Sequence, residues 1–124
     1  MTHHTLKLPH QKPPLTANMR HHWAQKARTT RQLRHDTRLL ARANNLPKGA
    51  LHATVHITYT PKDNRRRDPS NLMPTQKACL DGLVDYGLVP DDNPTYVEER
   101  MPVIAPKNGE PMDSRVRVEI DLAD

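Results

Sequence analysis

Leu51-His52-Ala53-Thr54-Val55-His56-Ile57-Thr58-Tyr59 alternates strictly. Leu51, Ala53, Val55, Ile57 and Tyr59 fall on one side and His52, Thr54, His56 and Thr58 on the other, because successive side chains of an extended chain point to opposite faces. The stretch predicts a strand with one dry face and one wet face, and the dry face needs cover. With 3% aromatic residues and no Phe, the core must be aliphatic and thin. A second subunit would add burial that so small a core lacks.

Cover is available on the N-terminal side. From Trp23 to Asn44 neither Gly nor Pro interrupts the chain, and Thr30, Leu33, Thr37 and Leu40 recur at helical spacing as an inner face. Arg28, Arg31, His35, Arg38 and Arg42 form a second stripe turned away from it. Asn44-Asn45, Pro47 and Gly49 end the helix. Further upstream, Thr5-Leu6-Lys7-Leu8 alternates as a short first strand, stopped by Pro9, and Pro13-Pro14 carries a loop through Asn18.

On the C-terminal side, Pro61 to Pro69 is a charged loop. A second helix is expected to open near Pro74, which suits a first helical position. It closes before Gly87, which suits a left-handed cap, and buries Cys79, Leu80, Leu83 and Val84. Gly82 inside it is expected to mark close helix packing, since Gly in a helix otherwise costs up to about 1 kcal/mol against Ala. Leu88 to Pro94 is an acid-rich turn. Tyr96–Ile104 and Arg115–Leu122 read as two further strands joined by a loop holding Asn108-Gly109. The last strand turns Val116, Val118, Ile120 and Leu122 inward and Arg115, Arg117, Glu119 and Asp121 outward. The expected fold is therefore α/β (α+β) in the order β-α-β-α-β-β: one domain over residues 1–124, with a mixed sheet of about four strands and two main helices packed on it.

The formal charge of +5 favours a polyanionic partner, because Lys and Arg displace condensed counterions from phosphates. Cys79 is the single cysteine, which excludes an internal disulfide and a CxxC zinc site. No stretch reaches the roughly 18 apolar residues of a membrane span, and the N-terminus lacks the apolar segment of a signal peptide. A cytoplasmic protein without a membrane partner is expected. The His pairs His3-His4, His21-His22 and His52/His56 are poor chelators, being adjacent or on a solvent-facing strand side.

Chemistry concentrates between Arg65 and Asp92: Arg65-Arg66-Arg67-Asp68-Pro69-Ser70-Asn71-Leu72, then Lys77, then acids at Asp81, Asp85, Asp91 and Asp92. Phosphodiester hydrolysis needs such an alternation. Carboxylates hold hard divalent cations, the metal activates water, and Arg or Lys clamps phosphate. Composition alone also admits a plainer reading. Arg65–Arg67 is then a solvated loop, Asp68 a turn cap, Asp91-Asp92 turn residues, and Lys77 with Asp81 a surface ion pair.

Arg66-Arg67-Asp68-x-x-Asn71-Leu72, Lys77-x-x-x-Asp81-Gly82-Leu83 and Gly87-Leu88-x-x-Asp91-Asp92, in that order, resemble the signature of RusA-like Holliday-junction resolvases. Pro13-Pro14 followed by Asn18 and Arg20 is similar to that family's N-terminal loop. The resemblance covers most of the chain. It implies a homodimeric endonuclease that nicks opposing strands of a four-way DNA junction using Mg²⁺, with Mn²⁺ as a substitute and no small-molecule cofactor. It also implies an origin in a phage or prophage. Asp68 and Asp92 match the essential acids and Lys77 the essential lysine, with Asp91 and Asp81 as further metal-site candidates. Expected DNA contacts are Asn18, Arg20, Arg65, Arg66, Arg67 and Asn71, with Arg31 and Arg38 from the helical stripe.

Two departures stand out. The family pattern Asp-x-Asp-Asn reads Asp68-Pro69-Ser70-Asn71 here, a hydroxyl replacing a carboxylate, and about three extra residues separate Asn71 from Lys77. A non-cutting protein that grips branched DNA is therefore the alternative. A generic nucleic-acid-binding domain is disfavoured, since Trp23 and three Tyr are all the aromatics available for base stacking.

Overall fold

The computed structural model describes residues 2–20, 22–107 and 115–123. Along them run β1 (Thr2–Lys7), α1 (Trp23–Ala43), β2 (His52–Tyr59), a short 3-10 helix (Pro69–Leu72), α2 (Met73–Tyr86), β3 (Val97–Glu99), β4 (Val103–Ile104) and β5 (Val116–Ala123). One mixed sheet has the order β1-β5-β2-β3, with β4 also on β2. β5 is antiparallel to both β1 and β2, and β3 and β4 run parallel to β2. This is the α+β layout expected, with five strands where about four were anticipated.

The extra strand arises because the run Tyr96–Ile104 is broken. β3 pairs with Ala53–Val55 and β4 with Thr58–Tyr59. Between them a side chain takes over the ladder: Gln76, fully buried on α2, accepts from the Ile57 amide through Oε1 at 2.9 Å. Its Nε2 donates to the Arg100 carbonyl at 2.6 Å. A buried amide must be paired, so Gln76 both satisfies the gap and holds it open. β4 and β5 lie on opposite sides of β2 and do not pair, and the loop residues Asn108 and Gly109 fall outside the described residues.

The core is aliphatic. Leu6, Ala53, Val55, Ile57, Val116, Val118, Ile120 and Leu122 from the sheet are buried with Leu33, Ala41, Ala78, Cys79 and Leu83 from the helices. Several positions differ from the sequence reading. β1 starts at Thr2, although Leu8 is still buried and its amide still bonds the Val116 carbonyl. Leu51 precedes β2 and is exposed. On α1 the deepest positions are Leu33, Thr37 and Ala41, with Leu40 at the margin.

α2 closes as expected, Gly87 adopting φ 98° at its C-cap. Gly82 is where the helices touch: a Cβ there would overlap the Arg34 carbonyl oxygen and stand 3.0 Å from Thr37 Cβ. That contact sets α2 against α1 and so fixes where both ends of α2 emerge. No described helix is long and apolar enough to cross a membrane.

Candidate functional site

Asp68 sits at the start of the 3-10 helix. Pro69 supplies the helical φ of the first position, and the Asp68 carboxylate accepts from the Ser70 amide at 3.0 Å and the Ser70 hydroxyl at 2.9 Å, both on Oδ1. Those two donors favour the ionised form and hold the acid below the ordinary 3.8, the hydroxyl contributing most. Ser70, standing where the family pattern has an acid, spends its proton on Asp68.

Asp68 lines a cleft of about 430 Å³ shared with Lys12, Asn18, Arg65, Arg66, Arg67 and Asn71. The N-terminal loop is brought there by backbone and hydroxyl contacts. The Leu15 amide donates to Thr75 Oγ1 at 3.1 Å, that hydroxyl donates to the Leu15 carbonyl at 2.7 Å, and the Ala17 amide bonds the Asn71 carbonyl at 2.9 Å. Asn18 thus lines the cleft beside Asp68, while Arg20 is exposed and outside the cleft lining. Lys12, Thr16 and Tyr59 line the cleft without having been anticipated. For Lys12 and Thr16 the sequence signal was the neighbouring Pro13-Pro14, and Tyr59 reaches the cleft from the end of β2.

The three arginines of the loop are not equivalent. Asp63 accepts from the Arg65 amide (3.0 Å), Arg65 Nε (3.2 Å) and Arg67 Nη2 (3.0 Å). The Arg65 amide leads among the interactions that hold Asp63 down at about 2. Arg67 is largely covered, donates to the Asp63 and Arg65 carbonyls, and lies 5.9 Å from the centroid of the Tyr59 ring. It builds the loop. Arg66 is exposed and its side chain makes no hydrogen bond or ion pair among the described residues.

The remaining acids form a second group. Lys77 Nζ meets Asp92 Oδ2 at 2.6 Å and Asp81 Oδ1 at 3.2 Å. The bond to Asp92 is the main reason the Lys77 ammonium is held above 10.5 and the Asp92 carboxyl below 3.8. Asp91 accepts from the Asp92 amide at 2.8 Å and from Asn93 Nδ2 at 3.2 Å, an ordinary acid turn. The Lys77–Asp81 pair follows from their spacing, but the Lys77–Asp92 tie spans a turn and was not legible. Asp85 belongs to neither group: it is paired with Arg34 through two guanidinium nitrogens, Nε and Nη2. No hydrogen bond or ion pair joins Asp68 to Lys77, Asp81, Asp91 or Asp92.

In chemistry the carboxylate oxygens of Asp68 and Asp92, both held below the ordinary range, suit a hard divalent cation. Among the described residues no three His, Cys, Asp or Glu side chains are gathered as a cage. Mg²⁺ commonly takes one or two carboxylates and completes its shell with water and substrate phosphate. On α1, the side chains of Arg28, Arg31, Arg38 and Arg42 are exposed, with no hydrogen bond or ion pair of their own. No family model matches this sequence, and none of the curated proteins does.

Proposed function

We propose that this protein is a metal-dependent endonuclease that resolves four-way DNA junctions by paired nicking, acting as a two-fold dimer. One observation carries the reading: the cleft sets the ionised, exposed Asp68 beside Arg66 and Lys12, cations with no ion pair among the described residues. Arg66 and Lys12 attract phosphate while Asp68 repels it. A divalent cation between acid and phosphate reconciles the two. Asp68 would hold Mg²⁺ there, which when bound supplies an activated water and offsets charge at phosphorus.

The chain's own groups supply the rest. Arg66 and Lys12 would bind the phosphate, and Asn18 and Asn71, which line the same cleft, would orient the strand. The resemblance to RusA-like resolvases adds Asp92 as second acid and Lys77 as essential lysine, and in this chain each holds the other. A junction presents two equivalent strands, which a symmetric dimer nicks in one encounter. Met101 and Val103, exposed beside the β3–β4 edge of the sheet, are apolar surface that a partner would cover.

The test is a labelled four-way junction incubated with the protein and either Mg²⁺ or EDTA. Paired nicks only with metal support the nuclease; metal-independent or absent cutting overturns it. A second reading, a non-cutting junction binder, is favoured by the Ser70 hydroxyl bound to Asp68 in place of a second carboxylate. A retarded but intact junction would establish it.

A further inference from the structure

A second basic site lies at the other end of α2. The α1 side chains His35, Arg38 and Arg42 face Lys48, Asp85 and Tyr86 across a groove of about 630 Å³. Asp85, the one acid among its described lining residues, is clamped by Arg34, which lies outside the lining, through two guanidinium nitrogens that hold its carboxyl below 3.8. Arg38 and Arg42 are one helical turn apart, and among the described residues their side chains make no hydrogen bond or ion pair. Lys48 rests its ammonium 4.8 Å from the Tyr86 ring centroid, and the Tyr86 hydroxyl donates to the Leu46 carbonyl at 2.6 Å. The ring is thus fixed as a rigid wall that keeps the lysine over the groove.

From this arrangement we infer that the groove holds the phosphate backbone of a DNA duplex arm, at a place separate from the Asp68 cleft. Arg38, Arg42 and Lys48 share the groove with a single acid among the described residues, Asp85, which Arg34 already clamps and Arg38 also attracts. Positive charge therefore remains in excess, and a polyanion relieves the repulsion by displacing counterions. Leu39 is the groove's one aliphatic lining residue among those described, too little apolar surface for lipid insertion. A helix face bearing cations one turn apart suits a backbone that repeats its charge evenly.

The spacing gives the site a place on the substrate, and here the inference rests on the nuclease reading. Asp68 and Asn71 line the cleft just before α2 begins, and Asp85 and Tyr86 line the groove where it ends. The 14 residues of α2 span about 20 Å at the α-helical rise. Duplex DNA rises about 3.4 Å per base pair. The groove therefore grips an arm roughly six base pairs from the phosphate in the cleft.

The experiment measures binding of a labelled linear duplex against salt concentration for the full chain and for Arg38→Gln/Arg42→Gln/Lys48→Gln. The log–log slope of the variant is expected to be shallower by about three, close to one for each phosphate that is no longer neutralised. Arg38→Lys/Arg42→Lys, which keeps the charges, is expected to retain the wild-type slope, and an unchanged melting temperature shows that each variant is folded. An unchanged slope in the Gln variant overturns the proposal, as does a wild-type protein without duplex binding at about 50 mM salt. The two readings fail separately. A wild-type protein that shows the steep slope but never nicks a junction loses the nuclease and keeps the groove. One that nicks with metal while the Gln variant keeps its slope loses the groove and keeps the nuclease.

Discussion

Asp68 and Asp92 are both exposed and both held below the ordinary carboxyl range, yet for opposite reasons. Asp68 is turned by the Ser70 hydroxyl and amide, neutral dipoles that leave its full charge on display. Asp92 is met by the Lys77 ammonium, which also holds Asp81, so two acids share one cation and the trio carries a net charge of minus one. A lowered pKa therefore does not say how much charge a site offers. Neutral donors orient an acid without cancelling it, whereas an ion pair must reorganise before its carboxylate can take a metal. On the nuclease reading, Asp68 is the primary anchor and Asp92 an acid held in reserve by Lys77.

The largest effect expected is on cleavage. Asp68→Asn should reduce junction nicking by more than the roughly 100-fold that outer partners of a metal cost, with junction binding retained or strengthened because a charge near phosphate is gone. Asp92→Asn should also abolish nicking. Wild-type rates in either variant, measured on a labelled junction, would reduce that acid to its turn or its ion pair.

Ser70→Ala sharpens the comparison. With the hydroxyl gone, the Asp68 carboxyl should rise towards 3.8, and nicking should fall by roughly 10-fold, as for loss of a ligand-orienting partner. Titration of the Asp68 side chain by NMR reads this directly. An unmoved midpoint would mean that the backbone amide alone sets the acid.

Lys77→Met addresses the other acid. Because the Asp92 pKa is lowered on folding, its contribution to stability is present above 3.8 and lost as the pH falls through the folded value. Lys77 is raised, so its contribution is present below 10.5 and lost as the pH rises through its folded value. In Lys77→Met the melting temperature at neutral pH should fall slightly and its decline below pH 3.8 should flatten. Melting curves that overlay the wild type at every pH would show the tie to be energetically empty, as many exposed pairs are.

The smallest effect separates the loop arginines. Arg66→Ala should reduce the salt slope of junction binding by about one, while Arg65→Ala should leave it nearly unchanged, since Arg65 is bound to Asp63. Equal changes would erase the distinction between a free and a paired cation.

Periodicity alone determined most of the frame. Strict alternation placed β2 and β5, helical spacing placed α1 and α2, and Gly87 and Gly82 announced a left-handed cap and a tight helix contact, because backbone sterics act locally. Asp68 and the arginine loop were legible for the same reason, as neighbours in the chain. What only the tertiary structure decided were partners far apart in sequence. Gln76 filling the ladder between β3 and β4, Lys77 reaching Asp92, and Asp63 claiming Arg65 and Arg67 while leaving Arg66 free all depend on where side chains end up. Charge in a sequence can be counted, but its availability is set by which hydrogen bonds and ion pairs the folded chain has already formed, and that follows from packing in three dimensions.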